Sequence, residues 1–207
     1  MASNVKPTRS ELLLLKKKIR LAKSGHSMLK KKRDGLIIEF FKALENAKNI
    51  RAELTEEYKK ALEKMNIARA IETDLQLKSI ALAVKDKPAI ELETKNVMGV
   101  LVPKIKKGPL QKTIFARGFG YLSSSVKVDE AALAYEKLVE KVLTAAEYET
   151  ILKRLLQEID KTKRKVNALE KITIPRLESD ASYIRFRLEE MERESFTVLK
   201  HIKQTHA

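Results

Sequence analysis

The sequence predicts an all-α fold, predominantly a long antiparallel two-helix coiled coil with a small β-hairpin-bearing lobe inserted at the turn. Three observations predict it. Two long stretches, residues 8–76 and 129–205, are rich in Ala, Glu, Lys, Leu and Arg, and only Pro175 interrupts either one. Both carry apolar residues at an alternating three-four spacing, which keeps a narrow stripe on one side of a supercoiled helix. Between them, residues 77–128 hold four of the six Gly and three of the five Pro, so the turn signals concentrate in one place. The division is therefore 1–76 for the first helix, 77–128 for the lobe and 129–207 for the second helix.

The first helix opens on a capping-box pattern after Pro7, with Thr8 as acceptor for a free backbone N–H and Glu11 reaching back. Its stripe runs through Leu12, Leu15, Ile19, Ala22, His26, Leu29, Arg33, Leu36, Phe40, Ala43, Ala47, Ile50 and Leu54. It then slips by one residue to Tyr58, Ala61, Met65 and Ala68, a stutter that locally unwinds a supercoil.

The second helix is expected to start at Asp129 as N-cap. Leu152, Leu155, Ile159, Thr162, Val166 and Leu169 set one register, and Ala181, Ile184, Leu188, Met191, Ser195, Val198 and Ile202 set the next. Pro175 sits at the break. It has no N–H, and its ring presses on the carbonyl of Lys171, so a kink or local unwinding is expected there. Neither stripe can be buried alone. Folding the arms back on each other, with facing indices summing to roughly 210, would set Gly35 near Pro175.

In the lobe, Ile90 to Val102 and Thr113 to Leu122 read as strands, with Pro103, Gly108 and Pro109 as turn residues between them. Arg117, Gly118, Phe119, Gly120, Tyr121 and Leu122 match the start of an RNA-binding strand motif that stacks bases on aromatic rings. The match stops at Ser124, and about fifty residues cannot supply the four-stranded sheet that motif needs. A hairpin strand with Gly relieving crowding is the preferred reading.

Composition limits the function classes. Aromatic residues make up 5% of the chain, Trp and Cys are absent, and charged residues reach 34%. Without Cys there is no disulfide framework and no thiolate metal site. The aliphatic runs Leu12 to Leu15 and Ile80 to Val84 fall far short of the roughly 20 residues of a membrane span. No signal-peptide core precedes the first helix, so a cytosolic or peripheral membrane component is expected. A phosphate-binding loop, an H-E-x-x-H motif and a paired Cys/His spacing are all missing. His26 lies on the stripe, where a tolerated or water-linked polar position is preferred over a ligand. His201 and His206 lie near the C-terminus. The expected catalytic, cofactor-binding and metal sites are therefore none, and no cofactor is expected.

The net charge of +15 is uneven: residues 1–35 carry eleven cations against two anions, and residues 129–207 carry fifteen of each. Lys16 to Lys18, Lys30 to Arg33 and Lys161 to Lys165 form basic runs. Such charge suits nucleic acid, an anionic membrane or an acidic protein partner. A basic coiled coil associated with nucleic acid is the alternative reading, although aromatics do not interleave the basic runs.

Two stretches carry a family resemblance. Pro7 to Phe41 (PTRSELLLLKKKIRLAKSGHSMLKKKRDGLIIEFF) and Val166 to Lys203 (VNALEKITIPRLESDASYIRFRLEEMERESFTVLKHIK) resemble the opening and closing helices of the D subunit of the archaeal/vacuolar-type (A-type/V-type) rotary ATPases. The resemblance covers the whole chain, least distinctively in the lobe. It implies a non-catalytic central-stalk rotor shaft that couples ATP synthesis or hydrolysis to H⁺ or Na⁺ transport. The implied partners are the nucleotide-binding A and B subunits, the small central-stalk F subunit and the membrane-rotor adaptor, the C subunit, with no nucleic acid. The implied location is the cytoplasmic face of the cell membrane, as a peripheral protein.

Overall fold

A computed structural model of the chain describes residues 6–84, 90–107 and 125–205. The elements are α1 (Arg9–Ile71), α2 (Asp74–Ala83), β1 (Ile90–Val97), β2 (Val100–Lys107), α3 (Val126–Ala168), a π-helical turn (Leu169–Thr173) and α4 (Ile174–Thr205). They divide into two compact units, one of residues 1–35 with 159–207 and one of residues 36–158.

Helix α1 starts where the capping pattern places it, with the Glu11 N–H donating to Thr8 Oγ1 at 3.2 Å. All thirteen stripe positions from Leu12 to Leu54 are buried or half-buried, so the three-four spacing does select the inward face. Beyond the stutter Ala61 and Ala68 are buried, whereas Tyr58 is exposed and Glu57 takes the half-buried place. The helix ends at Ile71, five residues before the expected boundary. Thr73 starts α2 there, its N–H and hydroxyl both donating to Gln76 Oε1 at 3.1 and 2.7 Å.

In the first unit, the start of α1 runs antiparallel to α4. Arg9 pairs with Glu192 at 2.6 Å and Lys23 with Glu178 at 2.7 Å. Both index pairs sum to 201, which corrects the expected value of about 210. The physical reason is that α4 runs past the first residue of α1, so the helix ends are not level. The π-turn before Pro175 accordingly meets His26, whose Nε2 is 3.5 Å from Glu170 Oε2, and not Gly35 as expected. Leu15, Val166 and Ile184 are the buried apolar residues of this unit.

Pro175 is accommodated by the turn before it. In an α-helix its missing N–H would leave Lys171 without its usual partner, and its ring would meet that carbonyl. The chain widens to a π-turn over Leu169–Thr173 instead, and the Ile174 N–H bonds to the Leu169 carbonyl. Thr173 Oγ1 adds a bond to the Ala168 carbonyl at 3.2 Å.

In the second unit, the later part of α1 faces α3. Arg51 pairs with Glu149 at 2.7 Å, and Glu53 pairs with Lys141. That hydrogen bond, and then the Glu53 charge, hold the Lys141 ammonium pKa above its ordinary range. Such exposed pairs fix register more than they add stability, at about 0–1 kcal/mol each. Stability resides in Leu36, Leu138 and Leu155, and in a cluster of Ala68, Val128 and Ala131 with Leu77 and Ile80 against it. Alanines there let the helices approach closely. Helix α3 begins at Val126, not at Asp129, which lies in its first turn. The Ser125 carbonyl accepts the Val128 N–H at 3.0 Å.

The strands form one antiparallel pair in which Val97 faces Val100 and Ile90 faces Lys107. The continuous strand expected over Ile90 to Val102 is therefore two strands. Met98 and Gly99 make the turn with φ of 51° and 85°, the paired left-handed geometry that matches strand twist. Asn96 Oδ1 accepts the Gly99 N–H at 2.8 Å and closes it. Pro103, expected in a turn, lies inside β2 opposite Thr94. The second expected strand, Thr113 to Leu122, and the Arg117 to Leu122 motif lie outside the described residues.

Candidate functional site

The hairpin is the one described element that departs from paired helices, and its attachment can be traced group by group. A two-residue turn makes Val97 and Val100 a hydrogen-bonded pair, and such pairs then alternate with non-bonded ones along the ladder. On β2 the non-bonded positions are Leu101, Pro103 and Ile105, and their backbone polar groups point away from β1. Arg154 Nη1 of α3 donates to the Leu101 carbonyl at 2.6 Å. The Ile105 N–H donates to Glu147 Oε2 of α3 at 3.4 Å. Pro103 has no N–H to satisfy. On this edge one outward C=O and one outward N–H are thus met by α3, and proline abolishes a second N–H.

The face of the hairpin turned to the helices carries Val100 and Val102, the latter 2% exposed. With Val97, Lys95 and Lys104, Val102 lines a groove shared with Lys42, Tyr148 and Leu155 of the helices. The opposite face carries Leu92 and Leu101, 70% and 57% exposed. Arg154 and Glu147 were not singled out in the sequence. The pattern Asn96-Val97-Met98-Gly99 was the available signal, because it fixes the turn and hence which β2 groups face α3.

In the first unit the surface is basic and apolar by turns. Lys16, Lys17, Lys18, Lys30 and Lys31 are exposed, as are Lys161, Lys163, Arg164 and Lys165. Past Glu192, which pairs with the first residue of α1, the expected stripe of α4 has no described helix against it, and Ser195, Val198 and Ile202 are exposed. Phe196 and Leu199 are exposed beside them. His26 sits half-buried on the stripe. Its Nε2 is 3.5 Å from Glu170 Oε2 of the π-turn and has no hydrogen-bond partner among the described residues.

Among the described residues no group of three or more His, Asp or Glu is placed to hold a metal ion. Among the same residues no helix is long and apolar enough to cross a membrane. Among the described residues, paired helices bearing a docked hairpin define a coiled-coil protein with an exposed basic surface.

The comparisons identify the assembly. A family model for the ATP synthase D subunit matches residues 11–204, and the chain belongs to that family. It is 54% identical over 200 residues to the A-type ATP synthase D subunit of Methanosarcina acetivorans, covering 97% of this chain and 96% of that protein. It is likewise 54% identical over 203 residues to the protein of the same name from Methanococcoides burtonii, covering 98% of each. With the Archaeoglobus fulgidus protein of that name the identity is 47% over 206 residues, covering 99% of each. The resemblance carried by the two terminal stretches is thereby shown, and the nucleic-acid reading finds no support.

Proposed function

We propose that this chain is the central-stalk rotor shaft of an A-type/V-type ATP synthase and passes torque between a nucleotide-binding ring and a membrane ion-translocating rotor. The observation that carries the reading is the near end-to-end match to A-type ATP synthase D subunits. The fold supports it physically. Torque needs elements that do not fray, and α1 runs 63 residues without a break. Its hydrogen bonds are internal, and its apolar stripe from Leu12 to Leu54 is buried or half-buried.

In this role the chain does no chemistry and holds no nucleotide, cofactor or metal. Its exposed faces differ around the axis, so each orientation stabilises a different conformation in a neighbouring catalytic subunit and biases populations without touching the phosphates. The A and B subunits would form the surrounding ring, the F subunit would pack on the shaft, and the C subunit would join it to the membrane rotor. The complex lies at the cytoplasmic face of the cell membrane. Residues 1–76 and 129–207 serve as the two arms, and 77–128 as the lobe for assembly and regulation. Purification of the tagged chain from native membranes tests this. Nucleotide-binding ATPase subunits should co-purify stoichiometrically, and nucleic acid without them would overturn the reading.

A further inference from the structure

We propose that the outer edge of β1 is a strand-docking site, and that it takes an extended segment of a partner subunit in which apolar and basic side chains alternate. The two edges of the hairpin differ. On β2 Arg154 takes the outward Leu101 carbonyl, Glu147 takes the outward Ile105 N–H, and the proline at position 103 removes a third outward group. The register that puts Leu101, Pro103 and Ile105 at non-bonded positions puts their partners Asn96, Thr94 and Leu92 there too. Their N–H and C=O groups point away from β2. Among the described residues nothing bonds to them, and Ile90, Leu92, Thr94 and Asn96 are all exposed.

An open edge of this length is a template for another strand. Native edges are usually blunted by proline, lysine or a bulge. Here the proline lies on the edge that α3 already covers, and β1 has neither a proline nor a bulge. Protection has been placed on one edge and withheld from the other.

The side chains of β1 state what the incoming strand carries. Ile90 and Leu92 point to the outer face, continuous with exposed Leu101, and they call for apolar neighbours. Glu91 and Glu93 point to the other face. Across the ladder on β2 their neighbours are Lys106 and Lys104, and Glu93 pairs with Lys106. A strand added on the far side meets the same two carboxylates, so lysine or arginine opposite them completes a basic-acidic-basic row. Two acidic positions on one face of an exposed edge stand out in a chain of net charge +15, and they select against an acidic segment.

The site goes beyond the shaft reading, which would survive if nothing docked on β1. The test is residue-resolved hydrogen exchange on the isolated chain and on the purified ATP synthase that contains it. The amides of Leu92, Thr94 and Asn96 should exchange freely in the isolated chain and slow by about tenfold or more in the complex. Thr94→Pro removes one outward N–H and leaves the β1–β2 hydrogen bonds in place. It should abolish the slowing at Leu92 and Asn96, and Glu91→Lys should weaken it without altering the backbone. Equal exchange in both states would overturn the proposal. So would protection already present in the isolated chain, or protection in the complex that Thr94→Pro and Glu91→Lys both leave unchanged.

Discussion

The guanidinium of Arg154 donates to the carbonyl of Leu101 across 2.6 Å, and this bond ties the hairpin to the helix against which it lies. A charged donor on a backbone acceptor is stronger than a neutral pair, but solvent reaches this one, so it is worth about 1 kcal/mol. Arg154→Ala should therefore leave both helices folded and speed hydrogen exchange over Val100 to Ile105. Unchanged exchange there would show that Val100 and Val102 hold the hairpin unaided.

The helix register is tested by crosslinking. With Lys23 and Glu178 both replaced by Cys, a short bismaleimide should join them within one chain, because those side chains meet at 2.7 Å. Cys at Leu15 and Glu194, the pair that a sum near 210 favours, should react much less efficiently. The reverse order of yields would refute the register described here.

Much of this was legible in the sequence. The inward stripe of α1, the antiparallel pairing and the irregularity before Pro175 all follow from periodicity and proline chemistry. The offset of the helices does not, because a repeated three-four stripe fits itself at several shifts of a turn. Ion pairs such as Arg9 with Glu192 choose among those shifts, and every exposed Lys or Glu looks alike in a sequence. The hairpin turn escapes notice for a related reason. Met98 is a poor residue for φ of 51°, so its turn hides inside a strand-like run, and Pro103 offers the more obvious turn signal.

Replacing Pro175 by Ala restores an N–H that an α-helix would use. A proline in a helix interior costs about 3 kcal/mol, but the π-turn already relieves the clash with Lys171. Pro175→Ala should therefore change unfolding stability by less than about 1 kcal/mol. A gain near the full helix-interior cost, measured by urea unfolding, would mean that the ring remains strained.

Ile184 is fully buried in the first unit. Truncation to Ala should cost about 2–5 kcal/mol, and the loss should appear in urea unfolding of the isolated chain. A cost below about 1 kcal/mol would place this residue outside the core.

Lys16, Lys17 and Lys18, with Lys30 and Lys31, give the first unit its positive surface. Single reversals such as Lys17→Glu should be nearly silent, since exposed pairs are worth about 0–1 kcal/mol and are screened within roughly 10 Å. Reversing all five should slow ATP turnover of the complex, most at low salt, with helicity by circular dichroism unchanged. Equal turnover at every salt concentration would assign these lysines to solubility alone.

The most direct test of the shaft reading is to stop the shaft. Phe196 is exposed near the end of α4, so Phe196→Cys can be joined by a disulfide to a Cys placed on a surrounding nucleotide-binding subunit of the assembled complex. Steady-state ATP hydrolysis is then measured before and after reduction. Rotation of this chain predicts that the oxidised complex is arrested and that reduction restores the full rate. Undiminished turnover with the chain covalently fixed to the ring would contradict it.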